Sequence, residues 1–527
     1  MQGLAEHGLV ALMSESTRQQ TGFDGWNSVV GARVSEFRKC VRDEVVRMCR
    51  GEGPIGALGL QVERRVQDII HELGRVLMRE AFEIADTSSS EVKVSGETWG
   101  YRRVTTGTYQ TAFGEVSLPR STYQMSGRGR ALIPLDLRLG IVEGRYTPLV
   151  ARVANRAIAS MATEEGEALL DEIGVCRLSR STLHRLPQAM LARVRDDMDI
   201  LEANVRAGDA IPAEACAVQV AMDGVMVPME GEDAAPRGRK TTEPEPARHE
   251  QRYGSKVQGL EGADSESTKT EALDDDPTAA PASDTPGRAW REASVGTVSF
   301  WDKDGERLKT IYLGQMPSYR KLGLVARLEK EFAAVHRERP DLHVVLASDG
   351  APTQWEELRA LVNRVIGDKP RTELLDFFHC SSRLGTAAKA IWGNTEDATV
   401  TGEYWKTVLR EKTRGAMLVL KALEYQRSVA DPATAKELTK SMNYITRHKK
   451  QGRLNYAAAK RDKLPIGTGV TEAAAKTLVT VRMKRSGARY SMHGGHTIIT
   501  LRAALLSGRF AAFSAELESS YTLPVAA

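Results

Sequence analysis

Three apolar segments of this chain each carry one carboxylate where a buried element should carry none. "AVQVAMDGVMVPM" (217–229) is an apolar strand with Asp223 at its middle. "LHVVLASDGAPTQW" (342–355) is an apolar strand ending on Asp349, followed by Gly350 and a helix from about 353. "LPIGTGVTEAAAKTLVTVRMKRSG" (464–487) is a glycine-bounded loop and then a helix with Glu472 in its first turn. Burying a carboxylate in a strand costs several kcal/mol unless a partner neutralises it. A divalent cation is the natural partner for several such acids. Hard carboxylate oxygens suit Mg²⁺ or Mn²⁺, whereas zinc more often recruits His and Cys. Each acid also has a plainer reading, because Asp223–Gly224 and Asp349–Gly350 are turn pairs and Glu472 suits a helix N-terminus.

The order of elements is what sets the three acids apart. It runs from the Asp223 strand to a second strand (294–301), an Asp304–Gly305 hairpin turn and a third strand (308–313). A helix (318–338), the Asp349 strand, a helix (353–366), a strand with Asp376, several helices and the Glu472 helix follow. Three antiparallel strands followed by strand–helix alternation is the ribonuclease H-like order, in which the first and fourth strands lie side by side and their acids converge. The expected architecture is an α/β core over 206–510, a mixed five-stranded sheet flanked by helices. Inserted material explains the 126 residues from Asp223 to Asp349 and the 123 from Asp349 to Glu472. One insertion is a helical segment at about 390–460. The other, 230–290, is rich in Pro, Gly, Ser, Thr and acids and has no apolar period, so it is expected to be poorly ordered.

A fourth stretch, "LLDFFHCSSRLG" (374–385), reads as a buried strand, Leu374–Phe378, running into a helix. It carries an acid, Asp376, and ends on His379 and Cys380. A metal site, a thiol nucleophile and an ordinary core each account for it. The five cysteines, Cys40, Cys49, Cys176, Cys216 and Cys380, show no C-x-x-C spacing, which argues against a disulfide framework or structural zinc and for reduced core residues.

A chain of 527 residues should hold two to four domains. Its 41% hydrophobic and 27% charged residues are an ordinary globular balance. The N-terminal "MQGLAEHGLVALM" lacks the basic and long apolar regions of a secretory signal, and no uncharged run is long enough to span a bilayer, so a cytoplasmic location is expected. The net charge of +4 is small, but it is unevenly spread. Residues 230–290 hold 14 acids against 8 Lys/Arg, whereas 471–510 hold one acid against seven Lys/Arg. A basic face late in the chain is the pattern of a surface turned to a polyanion, or of a merely solvated basic helix.

The N-terminal half is mainly helical, with periodicity over 26–86, a β-hairpin within 100–123 turning near Gly114, and helices again from about 145. Within 145–205, "TEEGEALLDEIG", the turn "VCRL" and "SRSTLHRLPQAMLARV" have the layout of a helix-turn-helix, with Ser179 as N-cap. Arg180, Ser181, His184 and Arg185 would be the exposed reading positions. Residues 511–527 read as a C-terminal tail.

"DGVMVPM", "WREASVGTV" with its "DGER" turn, "ASDGAPTQW", "DFFH" and above all "PIGTGVTEAAAKTLVTVRMKRSGARYS" resemble bacterial insertion-sequence transposases of the DDE type. The likeness is greatest to the ISKra-four family, whose core is related to Mutator-like transposases. "FGEVSLPRSTYQ" and "PLDLRLGI" are similar to the same family. Tyr490 stands where the family pattern has Trp, and "YQMSGRGRALIPLD" lacks a Cys pair found there, leaving a basic loop (Arg128, Arg130). The resemblance implies two Mg²⁺ (or Mn²⁺) ions held by Asp223, Asp349 and Glu472, with Asp376 and His379 as helpers lining the active site. It implies water and then a 3′-OH as nucleophiles, so Cys380 has no role. Double-stranded DNA, both element ends and target, would be the partner, bound by at least a homodimer. Arg180 and Arg185 would read the ends, and Lys476, Arg482, Lys484, Arg485 and Arg489 would contact phosphates. A catalytically idle DNA-binding derivative and a ribonuclease H-like nuclease are the alternatives.

Overall fold

The computed structural model describes residues 58–125, 129, 131–230, 289–318 and 321–526, with parts of 31–50. The expected acidic insertion, apart from its two ends, and the basic loop residues Arg128 and Arg130 lie outside the described residues. The chain forms two compact units. Met1–Ala154, Glu164–Arg180 and Glu518–Ala527 make up the first; Asn155–Thr163 and Ser181–Leu517 make up the second.

In the first unit the strands β1 (Glu91–Val94), β2 (Glu97–Thr111) and β3 (Gly114–Gln124) form an antiparallel meander. The expected hairpin is therefore present, closing at Thr111↔Gly114. It sits in a larger sheet, because Val525–Ala526 pairs antiparallel with β1 as a fourth strand. The expected C-terminal tail is thus structured: a helix, Phe510–Ser519, precedes that strand. Helix α1 (Leu58–Ala85) and the short α2 (Pro134–Leu139) bury Phe82, Tyr109, Val116, Leu118, Leu135 and Ile141. The Tyr109 hydroxyl donates to Asp136 (2.6 Å), which also pairs with Arg120 (3.0 Å), so these three side chains partner one another in the core. Helix α3 (Thr163–Ile173) and helix α4 (Arg180–Arg193) are the two helices of the candidate helix-turn-helix, and the division between units falls between Arg180 and Ser181.

The second unit is built on a mixed five-stranded sheet. Its strands are β4 (Ala217–Met229), β5 (Ala289–Trp301), β6 (Arg307–Gln315), β7 (His343–Ser348) and β8 (Thr372–Leu375), in the order β6-β5-β4-β7-β8. The first three are antiparallel; β7 runs parallel to both β4 and β8. The period-2 alternation sends neighbouring residues to opposite faces. Val344 and Leu346 pack under α5 (Leu322–Glu338) and α6 (Pro352–Ile366) with Leu328, Phe332, Trp355 and Leu358. Val345 faces the other way, into a core with Leu374, Phe377, Leu384, Trp405 and Leu423. That core belongs to α7 (Phe377–Trp392) and to α8 (Glu396–Glu411), α9 (Gly415–Val429), α10 (Pro432–Lys450) and α11 (Tyr456–Arg461), the last four filling the segment expected to be helical at about 390–460. Cys176 and Cys380 are buried, but Cys40 and Cys216 are exposed. No described helix is long and apolar enough to cross a membrane.

The reading of 374–378 as a strand needs correction. β8 ends at Leu375, and Asp376 caps α7, its Oδ1 accepting from the His379 amide (2.7 Å). An acid three residues before a histidine suits a helix N-cap better than a strand interior, because the orphan amides of the first turn need an acceptor.

Candidate metal-binding and catalytic site

The last pair between β4 and β7 is Ala221↔Ala347. Asp223 and Asp349 each stand two residues beyond it, so the parallel register carries both acids to the same level at the C-terminal ends of adjacent strands. The two Asp-Gly steps differ in character. β4 stays paired with β5 from Ala217 to Met229, so Asp223–Gly224 is strand and not turn. β7 stops at Ser348, and Gly350, at φ 106°, turns the chain towards α6. A side chain at Gly350 would be strained by that φ and would also lie 2.9 Å from the Tyr444 hydroxyl.

Each acid has defined partners. Asp223 Oδ1 accepts from the Gly224 amide (2.7 Å). Asp349 Oδ1 accepts from the Ala351 amide (3.1 Å) and, with the Gln354 amide group turned to satisfy its neighbours, from Gln354 (3.0 Å). That orientation also lets Gln354 accept from Lys321 Nζ (3.0 Å), which pairs with Glu292 at 2.9 Å. Burial, and then repulsion from Asp349 and Glu472, push the Asp223 carboxyl up to about 6 against the help of the Gly224 amide and Lys321.

Glu472 lies in the first turn of α12, which opens as Gly469–Ala474, widens to a π-helical stretch, Ala475–Thr480, and closes with Val481–Met483. Its approach is pinned from three sides. Gln219 of β4 donates to the Gly467 carbonyl (2.9 Å), Thr297 of β5 bonds Thr471 (2.7 Å), and Asp376 Oδ2 accepts from the Thr468 amide and hydroxyl (2.5 and 2.8 Å). Glu472 meets His379 Nε2 at 3.4 Å. The Glu472 hydrogen bond, with Asp376 and Asp349, pulls the imidazole up to about 9, while His379 holds Glu472 below the usual carboxylate range.

Among the described residues, Asp376, His379 and Glu472 each offer a donor atom within 4.8 Å of the others and could hold a metal ion. The expected triad and this set share Glu472. Asp349 and Glu472 both act electrostatically on Asp223, whereas the donor set close enough for one ion contains Asp376 and His379. Asp376 is fully buried and both of its oxygens accept protein hydrogen bonds, so it holds the Glu472 loop. Crowded carboxylates with one raised acid fit a hard divalent cation, which would relieve their mutual repulsion. Burial pushes the Cys380 thiol up to about 12, which leaves no reactive thiolate. Lys321, Gln354 and Glu292 had no signal in the sequence: Lys321 reaches the acids through a left-handed backbone (φ 57°) at the start of α5.

The expected DNA contacts fare unequally. Arg482 is buried and donates to the Ile158 carbonyl (3.2 Å) and towards the Tyr490 hydroxyl (3.3 Å), so it is a packing residue and not a phosphate contact. Tyr490 itself is stitched to β4, its amide donating to the Pro228 carbonyl (3.1 Å). Lys476, Arg485 and Arg489 are exposed and Lys484 is half-buried. Arg180 is exposed but ion-paired with Glu167 (2.6 Å) and Glu164 (3.2 Å); Arg185 is exposed and donates to the Ser181 carbonyl (3.3 Å).

No family model matches the chain, and no curated protein matches it.

Proposed function

We propose that this chain is a DDE-type DNA transposase that cuts and joins DNA at the ends of an insertion sequence. The observation that carries the reading is the equal register of Asp223 and Asp349 at the ends of two parallel neighbours, with Glu472, on a separately pinned helix, close enough to act electrostatically on Asp223. The strand order and directions are those expected of a ribonuclease H-like core. Asp223, Asp349 and Glu472 would hold the cations. When bound, such ions polarise a scissile phosphate and stabilise its leaving oxygen. The protein's own groups do the rest. Asp376 fixes the loop that sets Glu472, His379 positions the Glu472 carboxylate, and Lys321 offsets charge beside Asp223. The resemblance of "PIGTGVTEAAAKTLVTVRMKRSGARYS" to the ISKra-four and Mutator-like families supports transposition over simple hydrolysis.

The test uses a supercoiled plasmid carrying the gene with its flanking DNA, incubated with Mg²⁺. Cleavage at the element ends followed by joining to a target is expected. Asp223→Asn, Asp349→Asn and Glu472→Gln should each lose at least a hundredfold in cleavage rate, as expected on removing a charge that stabilises the transition state, while still binding end duplexes. Hydrolysis without joined product would favour the nuclease reading, and binding without cleavage by the wild type would favour the idle DNA-binding reading. Retained cleavage in any variant removes that residue from the site.

A further inference from the structure

Helix α10 sends one side chain back to the acid-bearing turn. The Tyr444 hydroxyl donates to the Asp349 carbonyl (3.1 Å), across 95 residues of sequence. Two cations lie against that ring: the guanidinium carbon of Arg383, on α7, is 5.5 Å from its centroid, and that of Arg447 is 5.7 Å. Neither guanidinium has a carboxylate within ion-pair distance among the described residues. The nearest aromatic on α10, His448, packs edge-on to Tyr444 (4.7 Å) and is held neutral, pushed down to about 4 by burial and by Arg447 and Arg453. Arg447 also lies 3.4 Å from His448 Nε2.

Several other arginines of this unit have acids: Arg359 and Arg371 pair with Glu373, Arg364 with Glu329, and Arg509 with Asp209 and Glu331. Two like charges against one neutral ring repel each other, and cation–π attraction of about 0.5–1 kcal/mol at exposed sites offsets that only in part. An anion between or above them would be strongly favoured, and guanidinium forks match phosphate oxygens two at a time.

We infer that Arg383, Tyr444 and Arg447 form a second contact site for a nucleic-acid strand, seating backbone phosphates beside the Asp349 turn. It rests on the proposed action on DNA. Tyr444 gives the site its coupling: one ring orders both guanidiniums and bonds the main chain of the residue expected to hold metal.

The experiment is binding of a fluorescent duplex of random sequence to the full chain at several salt concentrations. Each phosphate contact adds about 0.9 to the slope of log affinity against log salt. Arg383→Ala/Arg447→Ala should lower the slope by about two, and Arg383→Lys/Arg447→Lys should restore most of it. Lys412→Ala/Lys421→Ala, which removes the same charge from α9 and the turn before it, should leave it unchanged. Thermal unfolding checks each variant; if the double alanine variant does not unfold cooperatively, Arg447→Gln alone should lower the slope by about one. A full slope in folded arginine variants overturns this site while leaving the DNA reading intact. A wild type that binds no duplex at low salt overturns both.

Discussion

Asp223 is where folding changes a residue's chemistry most plainly. An aspartate in an unfolded chain titrates near about 3.9; here it is pushed up to about 6. The folded state therefore holds more protons between those values. The contribution of this group to stability is fully present below the unfolded value and is lost as pH rises through about 6. Above that, ionised Asp223 opposes folding by on the order of 3 kcal/mol. Asp223→Asn should accordingly raise the melting temperature of the metal-free protein at pH 8 and leave it little changed at pH 4. Mg²⁺ at ten times its Kd should add about 1.4 kcal/mol to the wild type and much less to the variant. Equal melting of the two proteins at pH 8 without Mg²⁺ would show that the carboxylate is penalised neither by burial nor by its acidic neighbours.

At the scale of elements, β4 and β5 make the firmest prediction. Their ladder runs without a break to Met229↔Ala289, directly opposite each other. Everything between those residues leaves and returns at one point, so replacing 230–288 by a two-residue Asn-Gly turn should close an ordinary hairpin. Urea unfolding of that variant should remain cooperative and Mg²⁺ should still stabilise it; loss of either would show that the segment supports the sheet. Elements such as these were legible because strands buried on both faces leave unbroken apolar runs, and an acid breaking such a run stands out. Asp223 and Asp349 were singled out that way, and Glu472 from the glycine-bounded loop ahead of its helix. Asp376 was also found, but as part of a strand, because Leu374–Phe378 is apolar on both sides of it and a cap looks the same as an interruption. Lys321 and Tyr444 could not be found: one depends on a left-handed backbone and the other arrives from a helix 95 residues downstream. Arg482 was grouped with its exposed basic neighbours because burial and its hydrogen bonds to the Ile158 carbonyl and the Tyr490 hydroxyl leave no mark in the sequence.

Across the whole molecule, the first unit is discontinuous in sequence, drawing on three separate segments. Its sheet gains Val525–Ala526, and Arg138 donates to the Val525 carbonyl (3.5 Å) and the Ala85 carbonyl (3.0 Å). Arg152 pairs with Glu518, and the Tyr521 hydroxyl donates to Glu143 (2.7 Å). Deleting 520–527 should therefore destabilise the first unit selectively, giving an early transition in hydrogen exchange over β1–β3 while β4–β8 keep their protection. Uniform loss of protection would show instead that the two units unfold together.

That late strand also sets a clock on biosynthesis. Val525 is added 387 residues after Arg138, which at about 5–20 residues per second is roughly 20 to 80 s of translation. Throughout that interval β1 is an edge with unpaired amides and carbonyls, the kind of edge that recruits strands from other chains. A ribosome that stalls or meets an early stop after the second unit has been made would release a polypeptide with its acid-bearing sheet complete and the N-terminal sheet still open. Full-length product and truncated product would then differ less in chemistry than in solubility, and chaperone demand during synthesis should fall on the N-terminal sheet, the first made and the last finished.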